Sequence, residues 1–265
     1  MSILNTIVDA KKISVQETKE IKPIKLLEKS IFFNSQPISM TTYLKRKDRV
    51  GIIAEIKRSS PSTGVINDKI NVEQLSISYM QSGASALSVL TDSPFFGGRN
   101  QDLEIARKFN YCPILRKDFI ISEYQIIEAK SIGADCILLI AACLSPTQCK
   151  SLAEFAKSFG LEVLLEVRTK EEIESHTNQF IDLIGVNNRN LNDFTTHISN
   201  SLMLFEHLPK ELVKISESGI TEAHQIHKLK TAGYDGFLIG GFFMKHEDPG
   251  NACKILFDNY NSLLQ

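Results

Sequence analysis

The 265-residue sequence has neither a surplus of charge nor a long apolar run. Lysine and arginine number 30 against 31 aspartates and glutamates, so no global field favours nucleic acid or a membrane surface as a partner. The longest apolar run, Cys136 to Leu144, is far shorter than the ~20 residues that cross a bilayer. We therefore expect a soluble protein in which any anionic ligand is held by local groups.

Paired cysteines and a secretory signal are also missing. The five cysteines are odd in number and include no Cys-x-x-Cys pair, and Cys136 lies in an apolar run where a thiol acts as a small hydrophobe. The first residues lack a basic segment followed by an apolar one. These features predict reduced thiols and a cytoplasmic location, without disulfides or a zinc site.

Cofactor motifs are absent as well. The sequence contains no Walker-type or dinucleotide fingerprint. His224 and His227 lie three residues apart on a predicted outer helix, but no third ligand accompanies them, which favours a solvated surface. We predict neither a metal nor a redox cofactor.

What the sequence does contain is an alternation of short apolar runs and amphipathic stretches beyond residue 48. The predicted strands are Gly51–Ile56, Ala86–Leu90, Pro113–Leu115, Cys136–Ile140, Val163–Leu165, Leu183–Val186, Leu212–Ile215 and Phe237–Ile239. The predicted helices include Val72–Gln81, Glu123–Ser131, Pro146–Ser158, Thr221–Thr231 and Ala252–Leu264.

Glycines mark the corners between predicted helices and strands. Gly83, Gly133, Gly160 and Gly233 each precede an apolar run, as expected for helix ends that adopt the left-handed conformation. Repeated corners and strands this apolar predict a parallel sheet covered by helices, and eight such units favour a closed α/β barrel of the (β/α)8 TIM type. We expect one domain over residues 1–265, with a helical extension at 1–47 packed on a barrel at 48–265.

The predicted strands end in polar residues, and in such a barrel the chemistry collects there. Glu55 and Lys57 are two apart and therefore share one face of the first strand; a self-neutralising ion pair is the simple alternative. The same alternation turns Lys117 and Glu166 inward after Leu115 and Leu164. We expect partial desolvation to lower the pKa of a lysine there, which would suit acid and base catalysis.

Other polar residues at the strand ends are expected to form a solvated rim, namely Arg58, Arg116, Asp118, Asn188 and Asn190. Two glycine turns, Ser218-Gly219 and Gly240-Gly241, fall after the seventh and eighth strands, where this barrel usually binds phosphate through backbone N–H groups. Together the two turns predict a phosphate site.

Several segments together resemble one family of enzymes, and the likeness covers nearly the whole chain. The sequence resembles the indole-3-glycerol-phosphate synthases of tryptophan biosynthesis in seven segments, which have the order and spacing of that family's signatures. These segments are "IIAEIKRSSPSTG", "ALSVLTDSPFFGG", "PILRKDFII", "LEVLLEVRTKEEIE", "IGVNNRNL", "ISESGI" and "GFLIGGFFM". The resemblance implies a cofactor-free lyase that closes the indole ring of 1-(2-carboxyphenylamino)-1-deoxyribulose 5-phosphate, releasing carbon dioxide and water.

The resemblance also implies roles for particular residues. Lys117 would protonate the ketone oxygen, Glu166 would stabilise the cationic intermediate and act as a base, and Asn187 would position the substrate. Lys57, paired with Glu55, would face the substrate carboxylate, and either lysine could supply the proton for dehydration. Glu217 and Ser218 match further positions in the family's active site. Phe96 and Phe119 match aromatic residues that line the pocket for the aryl ring. The positions around the phosphate and the carboxylate are matched by Gly219, Gly240 and Gly241, with Ser60 and Arg189 nearby.

Two residues depart from the family pattern. Gly241 stands where a hydroxyl residue is frequent, which predicts weaker phosphate binding, and Arg99 stands where serine is common. Two other functions remain open: another phosphate-binding barrel enzyme similar to phosphoribosylanthranilate isomerase, or a catalytically silent phosphosugar-binding protein. We expect a small phosphosugar-anthranilate substrate as the partner and a monomer or weak homodimer.

Overall fold

A computed structural model describes residues 3–189 and 195–265 as a closed barrel of eight parallel strands. Each strand pairs with the next along the chain, and the last pairs with the first. The predicted (β/α)8 barrel is therefore confirmed. The barrel strands, β1 to β8 in chain order, are Ile52–Ile56, Ala86–Leu90, Ile114–Lys117, Cys136–Ile140, Glu162–Val167, Leu183–Asn187, Val213–Glu217 and Gly236–Ile239, and a small hairpin joins Ser59–Ser60 to Gly64–Val65.

Four strands, β3, β5, β6 and β7, extend further at their carboxyl ends than the sequence predicted, because polar residues continue the parallel ladder. Lys117 pairs with Leu90 in β3, Glu166 with Ile140 in β5, and Glu217 with Asn187 in β7. Strands hold side chains more rigidly than loops do, so these charged groups are well positioned for chemistry.

Helices cover the barrel, and none in residues 3–189 or 195–265 is long and apolar enough to cross a membrane. The last helix begins at Pro249, earlier than predicted, because Asp248 caps it by accepting a hydrogen bond from the Asn251 N–H at 2.9 Å. The α-helices are Ile3–Ile21 (α1), Ile24–Leu27, Met40–Leu44, Val72–Gln81, Ser93–Phe96, Asn100–Phe109, Glu123–Ser131, Pro146–Ser158, Lys170–His176, Ser199–Leu204, Ala223–Ala232, Gly241–Met244 and Pro249–Ser262, with 3-10 turns at Ala141–Cys143 and Phe205–His207.

The four corner glycines adopt the predicted left-handed conformation. Their φ angles are 95° at Gly83, 88° at Gly133, 73° at Gly160 and 113° at Gly233. Only glycine adopts these angles without strain, so each helix turns back tightly into the following strand.

The amino-terminal end of the barrel is closed by the short helix Met40–Leu44. Met40 and Leu44 are buried in the same apolar cluster as the inward side chains of the strands. Glu162, at the start of β5, accepts hydrogen bonds from the backbone N–H groups of Met40 at 2.6 Å and Thr41 at 3.1 Å. With this end filled, the open cavity lies at the opposite, carboxyl end of the strands.

Candidate active site

A cavity of about 360 Å³ opens at the carboxyl ends of the strands. Every site residue that the sequence predicted contributes to its lining, so the alternation of the strands brings together side chains that are far apart in sequence. These residues are Glu55, Lys57, Ser60, Phe96, Lys117, Phe119, Glu166, Asn187, Arg189, Glu217, Ser218, Gly219, Gly240 and Gly241.

Glu55 lies in β1 and Lys57 directly follows the strand, and their side chains point to the same side. The Lys57 ammonium is 2.7 Å from Glu55 Oε1. Gly240 leaves room for this carboxylate, since a Cβ at that position would lie 2.3 Å from Glu55 Oε1. The pair is thus held against the residue that follows β8, while the lysine reaches the cavity.

A second lysine lies between two carboxylates, and we call Lys117, Glu166 and Glu217 the mouth cluster. The Lys117 ammonium donates to Glu166 Oε2 at 2.8 Å and to Glu217 Oε2 at 2.7 Å. Asn187 Nδ2 donates to Glu166 Oε1 at 3.0 Å. Gly185 makes space behind the cluster, because a Cβ there would lie 2.1 Å from Glu217 Oε1.

Protonation in the mouth cluster differs from the expectation for a desolvated lysine. Burial alone would lower the pKa of Lys117, but the carboxylates of Glu166 and Glu217 outweigh it and raise that pKa. The expected lowering is therefore wrong. Lys117 carries its proton at neutral pH and can donate it when a substrate oxygen becomes more basic.

The two carboxylates of the cluster have pKa values displaced in opposite directions. Burial would raise the pKa of Glu166, but Lys117 and the hydrogen bond from Asn187 lower it. At Glu217 burial prevails and raises the pKa to about 7, with the charge of Glu166 adding to the rise. One carboxylate thus stays ionised while the other exchanges a proton near neutrality, a division typical of acid and base pairs.

Two turns form the polar wall of the cavity. Ser218 and Gly219 both have left-handed backbones, with φ angles of 69° and 74°. Gly241 begins a short helix, and a Cβ at this position would meet nothing within 4 Å. Arg189 donates to Ser62 Oγ at 3.0 Å, and so links this wall to the loop that carries Ser60.

The other end of the cavity is apolar. The rings of Phe96 and Phe119 lie 5.9 Å apart at an interplanar angle of 37°. They belong to one apolar cluster with Leu138 and Ile140, and the start of α1 completes it through Ile3, Leu4 and Ile7. Sequence reasoning predicted that α1 packs on the barrel but missed its place in the cavity, since apolar spacing alone does not say which part of the barrel a helix covers.

The prediction of a solvated rim is wrong for four of its five residues, and the fifth is not described. Arg116, Asp118 and Asn188 are buried, and Arg58 pairs with a buried Asp102. Arg116 faces outward from β3, under the helix Glu123–Ser131, where solvent is excluded. Asn190 lies outside the described residues, while Arg99 is exposed and is not among the described residues that line the cavity.

Arg116 belongs to an outer cluster of charges, which consists of Lys11, Asp92, Arg116, Asp118 and Glu128. Arg116 Nη2 donates to Glu128 Oε2 at 2.5 Å and to Asp118 Oδ2 at 3.1 Å. The Lys11 ammonium lies 2.7 Å from both Asp92 Oδ1 and Asp118 Oδ1. These contacts join α1, β3 and the helix that follows β3.

Comparison with known proteins identifies relatives that match nearly the whole chain. A family model described as indole-3-glycerol phosphate synthase matches residues 4–256. Proteins of that name share 47% identity over 252 residues in Bacteroides thetaiotaomicron, covering 95% of this chain and 96% of the relative, and 41% over 256 residues in Campylobacter jejuni subsp. jejuni, covering 96% and 99%.

Solved structures with little sequence identity share the fold. The 3-hexulose-6-phosphate synthase of Salmonella typhimurium has a TM-score of 0.62 at 11% identity, covering 80% of this chain and 99% of that one. A mutant tryptophan synthase alpha-subunit from Pyrococcus furiosus has a TM-score of 0.60 at 12% identity, covering 81% and 98%. At these identities the likeness supports the barrel alone.

Proposed function

Because the chain belongs to the indole-3-glycerol phosphate synthase family, we propose that its cavity binds the carboxyphenylamino-deoxyribulose phosphate with the aryl ring at the apolar end. The activity is indole-3-glycerol phosphate synthesis in the tryptophan pathway. Phe96 and Phe119 then face the aryl ring, and the turns at Ser218-Gly219 and Gly240-Gly241 receive the phosphate. The mouth cluster lies among the lining residues of the same cavity.

Lys117 is the general acid for ring closure. As the aromatic carbon attacks the ketone, negative charge grows on the carbonyl oxygen, and a protonated lysine in the barrel neutralises it. The two hydrogen bonds to Glu166 and Glu217 fix the direction of the ammonium. Fixed orientation of this kind is a major part of enzymatic rate enhancement.

Glu166 stabilises the cationic intermediate and acts as the base that accepts a proton from the C1 methylene of the deoxyribulose chain as water leaves. The lowered pKa of Glu166 keeps its carboxylate ionised for both tasks. Asn187 holds Glu166 Oε1 and also orients the substrate hydroxyls. Lys57 faces the carboxylate that leaves as carbon dioxide, and its ion pair with Glu55 fixes its position.

The reaction as a whole consumes one proton when the substrate carboxylate is ionised, since carbon dioxide and water leave as neutral molecules. Glu217 can supply this proton. Its carboxyl, with a pKa of about 7, contacts the Lys117 ammonium at 2.7 Å and can return a proton to that lysine. Ser218 follows directly and offers its hydroxyl to the substrate.

The phosphate is held mainly by backbone groups. Gly219, Gly240 and Gly241 let a phosphate oxygen approach the main chain closely, as it does in other barrels. Ser60 and Arg189 close this wall from the neighbouring loops. The missing side chain at Gly241 removes one potential hydroxyl contact and weakens phosphate binding.

The protein works as one domain in the cytoplasm, as a monomer or weak homodimer, without nucleic acid. Support for a reducing compartment comes from the cysteines, which are free and mostly buried. Support for independence from a partner comes from the cavity, since one chain supplies all the site residues named above.

The observation that carries the proposed mechanism is the Lys117 ammonium between two carboxylates of unequal pKa. The test mixes purified protein with the carboxyphenylamino-deoxyribulose phosphate, without added metal, and follows indole fluorescence, which no tryptophan of the protein obscures. We expect turnover that the Lys117→Ala variant loses. Substrate binding without turnover in the wild type would instead indicate a silent binding protein.

A further inference from the structure

The first turns of α1 form part of the wall at the apolar end of the cavity. Leu4 and Ile7 line the cavity, and Lys11 follows Ile7 by four residues, so the three lie on one face of the helix. Lys11 is 7% exposed, and a lysine is rarely this buried unless its ammonium is paired with a carboxylate. Its ammonium lies 2.7 Å from two buried carboxylates of the barrel, those of Asp92 and Asp118.

Each carboxylate that binds Lys11 also holds a segment carrying one of the cavity's aromatic rings. Asp92 accepts a hydrogen bond from the Phe95 N–H at 3.0 Å and so caps the short helix that ends at Phe96. Asp118 accepts from the Phe119 N–H at 2.8 Å. One ammonium therefore connects α1 to the supports of both rings.

Attachment of α1 to the barrel does not depend on Lys11 alone. Near the other end of the helix, the Tyr124 hydroxyl donates to the Lys22 carbonyl at 2.7 Å, and Val15 packs with Tyr124 and Ile127. These contacts hold the second half of α1 in place. Removing the Lys11 ammonium should therefore free the first turns without detaching the helix.

The charges around Lys11 maintain its protonated form. Burial would lower the pKa of Lys11, but the carboxylates of Asp118 and Asp92 outweigh it and raise that pKa. The other oxygen of Asp118 accepts from the Thr91 hydroxyl at 2.7 Å and from Arg116 at 3.1 Å, so its carboxylate cannot turn away. The connection is thus fixed from both sides.

We propose that Lys11 is a positioning residue that holds the first turns of α1 against the supports of Phe96 and Phe119, and so shapes the subsite for the aryl ring. The inference rests on the proposed function, because it assumes that this end of the cavity receives the aryl group. Lys11 contacts no reacting atom and acts through the wall that it holds together.

The test compares Lys11→Met with Lys12→Met, which removes an exposed lysine paired with Asp9 on the same helix. For Lys11→Met we expect KM to rise about tenfold, with kcat within about threefold of the wild type, because binding of the aryl ring is lost but the mouth cluster is untouched. The inhibition constant of 2-aminobenzoate should rise in parallel, that of inorganic phosphate should stay unchanged, and Lys12→Met should match the wild type.

Two further variants guard against a simple loss of folding. Lys11→Arg keeps the charge and should restore KM at least in part, whereas Asp92→Asn removes one carboxylate but keeps an oxygen to cap the helix and should raise KM selectively. Equal weakening of 2-aminobenzoate and phosphate, or an unchanged KM in both Lys11→Met and Asp92→Asn, would overturn the positioning role. A wild type without turnover would instead count against the proposed function.

Discussion

The mouth cluster and the outer cluster lie on opposite faces of β3, and they differ in their surroundings: all three members of the mouth cluster line the cavity, whereas of the outer cluster only Asp118 does. In the outer cluster each guanidinium nitrogen of Arg116 has a partner, including the Gln125 carbonyl at 2.7 Å and the Thr91 hydroxyl at 3.0 Å. Asp92 Oδ1 has no hydrogen bond there, but it lies 2.7 Å from the Lys11 ammonium. In the mouth cluster the buried Glu217 Oε1 has no hydrogen-bond partner in the part of the chain that the structure describes.

This difference separates a cluster that stabilises from a cluster that reacts. Lys117 and Asp118 are neighbours in sequence, yet the strand turns the lysine into the cavity and the aspartate towards α1. A buried polar atom without a partner costs free energy, and such costs are common where a substrate is bound. The cavity that all three members of the mouth cluster line therefore indicates where chemistry takes place.

The outer cluster can be broken most severely at Arg116. Arg116→Met leaves the carboxylates of Asp118 and Glu128 short of a cation, so we expect the free energy of unfolding to fall by about 3–5 kcal/mol. Chemical denaturation measures this loss. The exposed pair broken by Lys12→Met should change stability by less than about 0.5 kcal/mol, and a similar loss in both variants would contradict the assignment.

In the mouth cluster, substitution of Glu217 should raise the free energy of unfolding, whereas substitution of Arg116 lowers it. The pKa of Glu217 is about 7 in the folded protein against an ordinary value of 4.5, so the folded protein keeps a proton that the unfolded chain has lost between these pH values. Stability of the wild type therefore decreases as pH rises through this window. Glutamine does not titrate, and Glu217→Gln should be more stable than the wild type at pH 8, by on the order of 2 kcal/mol.

Thermal unfolding at pH 5 and pH 8 measures this effect. The advantage of Glu217→Gln should shrink towards pH 5, where the wild-type carboxyl is protonated in the folded protein. The activity of the variant should fall although its stability rises. A stability gain independent of pH would show that the carboxyl does not titrate as described.

The smallest expected effect is at the phosphate wall. Gly241→Ser adds a hydroxyl where a Cβ meets nothing within 4 Å, so one hydrogen bond to the phosphate, worth about 1 kcal/mol, should lower KM roughly fivefold. Steady-state kinetics checks this. Gly240→Ser is the matched control: its Cβ would lie 2.3 Å from Glu55 Oε1 and should damage activity instead.

The sequence was sufficient to predict the barrel and the inward charges, because both follow from local periodicity. Glu55, Lys57 and Lys117 alternate with apolar residues, and corner glycines mark the repeat. It did not predict that Arg116 and Asp118 are buried or that Lys11 meets Asp118. The helix Glu123–Ser131 covers Arg116, whereas Lys11 comes from α1, which is far from β3 in the chain. The raised pKa of Lys117 likewise depends on carboxylates from two other strands.

The most direct test of the division between the clusters compares kcat of Lys117→Ala and Arg116→Met at saturating substrate, at a temperature where both remain folded. We expect Lys117→Ala to lose at least about 10²-fold in kcat, and Arg116→Met to keep kcat within roughly threefold of the wild type despite its lower stability. Comparable losses in both variants, or an active Lys117→Ala, would contradict the account.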